Sequence, residues 1–107
     1  MTRLMWPQTN YPRIVQWDLV RREHVEAAID ECDRLGEDDF LAQTGFGRAR
    51  DYHLIFRGAS YPSKAILGVA YRQAPGTLPS RQDFSGGRTG AAKVLRDLGF
   101  EVTEPEA

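Results

Sequence analysis

The segment Tyr52-His53-Leu54-Ile55-Phe56-Arg57-Gly58-Ala59-Ser60-Tyr61-Pro62-Ser63-Lys64-Ala65 decides the fold. Its first five residues are rich in aromatic and branched side chains, the composition of a strand. Arg57-Gly58 supplies a turn, and Ala59-Ser60-Tyr61 is the short return strand of a hairpin. Proline holds φ at about −65° and has no N–H, so Pro62 is expected as the first residue of a helix, where that donor is not needed. Ala65, Ile66, Val69 and Ala70 give this helix an apolar stripe, and Gly68 within it allows a neighbour to pack closely.

Upstream, Val25, Ala28, Ile29, Cys32 and Leu35 recur at helical spacing from about Arg21, and Gly36 stops that helix. Cys32 is read as a core residue. Glu37–Thr44 reads as a short second helix with Phe40 and Leu41 inward, ended by the loop Gly45-Phe46-Gly47. Downstream, Ala74–Arg81 is a loop marked by Pro75-Gly76 and Pro79. Asp83-Phe84-Ser85-Gly86-Gly87-Arg88 enters a last helix with Ala91, Val94, Leu95 and Leu98 on one face. Gly99 terminates it before a final strand, Phe100-Glu101-Val102-Thr103. The pattern is α+β: about four helices packed around a small, mainly antiparallel sheet. Residues 1–17 form an irregular arm whose rings pack on the domain, 18–103 a single domain, and 104–107 a tail or linker.

The 107 residues suffice for one modest core, and 41% hydrophobic with 27% charged residues is ordinary globular composition. No apolar run reaches the roughly 18–20 residues of a membrane span, and the first residues lack the apolar stretch of a signal peptide. With a single cysteine as well, a cytoplasmic setting is expected, with no membrane partner. The net charge of −1 conceals a division along the chain. Residues 18–39 carry −6 and residues 40–98 carry +6, so the basic half coincides with the loop-rich region. Such polarity suits an anionic partner, although charges on solvated faces can also segregate without one. Arginine outnumbers lysine twelve to two, which fits planar recognition of phosphate or guanine but is also what a GC-rich genome produces.

Catalysis is poorly served by this composition. The only histidines, His24 and His53, are not part of any cluster with metal-ligand spacing, and neither a P-loop nor a Gly-x-Ser-x-Gly elbow occurs. Paired carboxylates such as Asp38 and Asp39 fall on solvated helical faces. No catalytic residue, metal ligand or cofactor is therefore assigned. A nucleic-acid reader has more in its favour. Arg48 and Arg50 stand in a loop directly after Gly45-Phe46-Gly47, as DNA contacts or as salt-bridge partners. Ser85-Gly86-Gly87-Arg88 opens a helix, where free N–H groups, small residues and an arginine suit a phosphate or a base edge. Ser85 as an ordinary N-cap is the plainer alternative, and it leaves Arg88 pointing outward.

Taken together, Tyr61-Pro62-Ser63-Lys64-Ala65-Ile66, Asp83-Phe84-Ser85-Gly86-Gly87 and Leu98-Gly99-Phe100-Glu101-Val102 resemble the sulfur-binding domain of McrA-type, phosphorothioate-DNA-dependent type IV restriction endonucleases. The likeness extends upstream through Arg22-Glu23-His24-Val25 and Gly45-Phe46-Gly47, covering roughly residues 17–103. It implies a non-enzymatic module that binds double-stranded DNA in which sulfur replaces one non-bridging phosphate oxygen. Any nuclease activity would then lie on a fused or partner domain. In that family the sulfur sits against a tyrosine, a proline and an alanine, which correspond to Tyr61, Pro62 and Ala65. The resemblance also implies DNA backbone or base contacts from Arg48, Arg50, Ser63, Lys64, Ser85, Gly86, Gly87 and Arg88. The family's pocket has a histidine–arginine element, and no His-Arg pair occurs in this chain. Read without the resemblance, Tyr61, Pro62 and Ala65 are a hairpin end, a helix start and helix core. Two other functions stay open: a reader of ordinary or otherwise modified DNA, and a protein-interaction domain using the acidic helical region 21–39.

Overall fold

A computed structural model of the chain describes residues 17–47, 52–74, 79, 84 and 90–104. At its centre is the hairpin of β1 (His53–Phe56) and β2 (Ala59–Pro62), paired with Phe56 opposite Ala59 and His53 opposite Pro62. The turn between them has two residues, Arg57 at φ 51° and Gly58 at φ 79°. Two positive φ values match the right-handed twist of the flanking strands. Glycine takes this conformation freely, whereas an arginine there costs about 1–2 kcal/mol.

A third strand, β3 (Glu101–Val102), pairs antiparallel with the other side of β1, giving the order β2-β1-β3. One further rung extends the pairing: the Thr103 N–H donates to the His53 carbonyl, and the His53 N–H donates to the Thr103 hydroxyl, both at 2.9 Å. The carbonyls of Val102 and Thr103 accept hydrogen bonds from the Arg96 guanidinium at 2.7 and 3.4 Å. That side chain covers part of an otherwise open sheet edge.

The register places Leu54, Tyr61 and Val102 side by side on one face, and all three are buried. Helix α1 (Arg22–Leu35) packs on α3 (Ser63–Gln73) and reaches the sheet region through side chains near its two ends. At one end the Arg22 guanidinium lies 4.2 Å from the centroid of the Phe100 ring, and at the other Asp33 meets Tyr61. Val25, Ala28, Ile29 and Cys32 form the buried side of α1, as their spacing predicts. Its start is fixed by His24, whose Nδ1 accepts the Arg21 N–H at 2.9 Å. Helix α2 (Glu37–Thr44) follows after Gly36 and buries Phe40 and Leu41.

Helix α3 (Ser63–Gln73) packs against both α1 and α4 (Ala91–Asp97), so nearly its whole circumference is buried from Ala65 to Tyr71. Gly68 makes the closest approach. A Cβ there would stand 2.7 Å from two ring carbons of Phe46, so the ring occupies the space a side chain would need.

Several boundaries differ from the sequence expectation. Pro62 is not the first helical residue: its ψ of 104° is extended, it pairs with His53 as the last residue of β2, and Ser63 opens α3. Proline fixes φ but leaves ψ free, and strand pairing decides ψ here. Arg21 likewise caps α1 from outside. Leu98 is the C-cap of α4, and Leu35, Val94 and Leu98 are only half-buried. Residues 1–16, the loop arginines Arg48 and Arg50, and the segment 85–89 lie outside the described residues.

Candidate nucleic-acid interface

The Tyr61–Ala65 stretch occupies the junction where β2 becomes α3, and each of its side chains is held differently. Tyr61 projects from the inner face of the sheet, 7% exposed, and its hydroxyl donates to Asp33 Oδ1 at 2.8 Å. Burial first, then this bond and the Asp33 charge, push its pKa up to about 12. Its hydroxyl is therefore protonated near neutral pH, with its proton directed at α1. Pro62 and Ala65 are fully buried. Ser63 is buried too, and its hydroxyl donates to the Tyr52 carbonyl at 2.8 Å. The N-cap position of α3 is held by Pro62, which has no polar side chain, so no side chain caps the start of the helix.

Lys64 points elsewhere. Its ammonium lies 5.2 Å from the centroid of the Phe84 ring, within cation–π range. Phe84 in turn meets Phe46 edge-on at 5.8 Å and Trp17 at 4.9 Å. Trp17 closes the cluster against Tyr71 on α3 at 5.4 Å. The aromatic cluster thus joins three segments that are far apart in sequence: Gly45-Phe46-Gly47, Tyr61–Ala65 and the Asp83–Arg88 stretch through Phe84. Arg48, Arg50, Ser85, Gly86, Gly87 and Arg88 follow Phe46 and Phe84 in sequence and lie outside the described residues.

Two contributors were not legible as site residues. Asp33 belongs to the acidic face of α1, where it looks like one solvated carboxylate among many, and its partner is 28 residues away. Trp17 was legible only as an arm ring that packs somewhere on the domain. An open cleft of about 500 Å³ between Trp17, Val20, Val94 and Leu98 adjoins the cluster through Trp17.

Other chemistry finds little support among the described residues. No group of three or more His, Cys, Asp or Glu side chains is arranged to hold a metal ion there. Cys32 is buried, and desolvation together with Glu37 and Asp33 raises its thiol pKa to about 11, which suppresses the nucleophilic thiolate. No described helix is long and apolar enough to cross a membrane.

The family model of the ScoMcrA-like N-terminal head domain matches residues 18–104. This chain belongs to that family. Among solved structures, that of the type IV phosphorothioation-dependent restriction endonuclease ScoMcrA resembles it with a TM-score of 0.59, at 31% identity over 82% of this chain. The chain spans 13% of the length of ScoMcrA, so it corresponds to one part of a much longer protein. No curated protein matches it. In this McrA-like head the Tyr61–Ala65 junction, the Phe46 loop and Phe84 all fall within the matched residues.

Proposed function

We propose that this head domain is a DNA-binding module that reads a phosphorothioate linkage at the β2–α3 junction, through Tyr61, Pro62 and Ala65, with the basic loops around it neutralising the backbone. The observation that carries this reading is the convergence at Lys64 and Phe84. The apolar junction carries a cation, Lys64, that meets Phe84, and Phe84 meets Phe46. Arg48, Arg50 and Arg88 follow these rings within a few positions in sequence. Membership of the ScoMcrA-like family supports the same reading. Ser63, Ser85, Gly86 and Gly87 would add backbone contacts, their small size permitting close approach. Any cleavage of DNA would belong to a fused or partner nuclease domain.

Sulfur is larger, more polarizable and a weaker hydrogen-bond acceptor than oxygen. Setting a phosphate oxygen against a proline ring strips its water without replacement, at a cost of about 1–3 kcal/mol. Sulfur in the same place loses less hydration and gains dispersion contacts. The phosphate stays anionic in both cases, so Lys64 and the loop arginines must meet its charge.

A second reading has its own observation. Pro62 and Ala65 are fully buried and Tyr61 nearly so. A sulfur atom touches them only if binding opens the junction. If the junction stays closed, the same basic face binds DNA irrespective of sulfur. Paired titrations of variants separate the two. Arg88→Ala is expected to weaken binding to sulfur-bearing and ordinary duplexes alike, by about five- to tenfold for one lost phosphate contact. Ala65→Ser, checked for retained folding by circular dichroism, is expected to lose mainly the preference for sulfur. An Ala65→Ser protein that folds and keeps its full preference would place the sulfur elsewhere.

A further inference from the structure

The hairpin turn carries a residue that its geometry does not favour. Turns with two positive φ values prefer Asn or Asp followed by Gly. Gly58 conforms, but Arg57 at φ 51° does not. Such positions persist where the surroundings or a function require them. Here the surroundings do little to require it, because Arg57 is exposed and no carboxylate pairs with it among the described residues. Arg22, Arg72 and Arg96, by contrast, each reach a carboxylate.

What Arg57 does have is a platform. Its guanidinium lies 4.7 Å from the centroid of the Phe56 ring. Phe56 packs on buried Phe100 at 5.7 Å, and Phe100 carries Arg22 on its own ring. A guanidinium stacked on a ring keeps its in-plane N–H donors available, a fork that matches two phosphate oxygens. Holding the side chain on the ring also reduces the rotamer freedom lost on binding. The charge is felt along the hairpin: Arg57 opposes the rise in the Tyr61 pKa. Pro62 lies opposite His53, four positions from Arg57, so at about 3.3 Å per residue the turn stands roughly 13 Å from the junction, close to the about 12 Å width of a DNA major groove.

We infer that Arg57 clamps a second backbone phosphate of the duplex bound at the β2–α3 junction, about one groove width from the linkage that junction meets. The inference rests on the DNA-binding reading above. Its test therefore begins with the unaltered chain, titrated with a short ordinary duplex and with the same duplex carrying one sulfur, at several salt concentrations. Arg57→Asn is the informative variant, since asparagine suits the turn. It is expected to fold with an equal or higher melting temperature. Its affinity for both duplexes should fall by about five- to tenfold near 0.1 M salt, and its salt slope by about one. The ratio between the duplexes should not change, and Arg57→Lys should keep the slope. An Arg57→Asn protein with unchanged affinity and slope overturns the inference while the DNA-binding reading stands. If the unaltered chain binds neither duplex, the reading falls and the inference with it.

Discussion

Tyr61 shows how a single side chain can be held in place by a partner that its own sequence neighbourhood does not contain. Its side chain is largely buried and its hydroxyl bonds to Asp33, which favours the neutral form and raises the pKa to about 12. The folded state therefore holds this proton more tightly than the unfolded chain, whose tyrosine ionises near 10. The stabilisation is fully present below pH 10 and is lost as pH rises through about 12. Ultraviolet titration of tyrosinate should show one component near 12 that Tyr61→Phe removes. Asp33→Asn should shift that component downward without returning it to 10, because burial is the larger cause. A protein whose tyrosines all ionise together near 10 would show that the bond to Asp33 does not hold in solution. Cys32 was legible as core because it shares the helical spacing of Val25, Ala28 and Ile29. Asp33 was not, because nothing local distinguishes it from Asp30 or Glu31.

Helices and strands were legible where a local rule sets them and less so where tertiary pairing does. The two-residue turn, the stop after Leu35 and the second helix to Thr44 all follow from glycine positions and apolar spacing. Pro62 did not follow, because β1 pairing holds its ψ extended and delays α3 by one residue. Gly68 was read correctly as a point of close packing, but the identity of its neighbour was out of reach. The Phe46 ring comes from a loop more than twenty positions away. This contact is also a sensitive one, because the same ring supports Phe84. Gly68→Ala gains about 1 kcal/mol of helix propensity but forces the ring aside, which in well-packed interiors costs about 1–3 kcal/mol. A net loss of stability is expected in urea denaturation, and Phe46→Leu in the same protein should recover part of it by making room. Stabilisation by Gly68→Ala alone would mean that Phe46 withdraws freely and that the aromatic cluster is not rigid.

Across the whole molecule, charge and packing divide the work. Among the described residues the acidic positions lie mainly on α1 and α2, while Arg57 stands in the hairpin turn and Lys64 on α3. The chain's polarity was visible in the sequence, but the convergence of the Phe46 loop, Lys64 and Phe84 was not, since it depends on rings meeting across the fold. The chain spans 13% of the length of ScoMcrA, so the central test is made on this head by itself. The most direct measurement is the affinity of this chain for a short duplex bearing one phosphorothioate of defined stereochemistry, compared with the other stereoisomer and with the all-oxygen duplex. An apolar seat worth about 1–3 kcal/mol corresponds to tighter binding of one sulfur stereoisomer by about five- to 150-fold. Equal affinity for all three duplexes would contradict the reading of sulfur at Tyr61, Pro62 and Ala65.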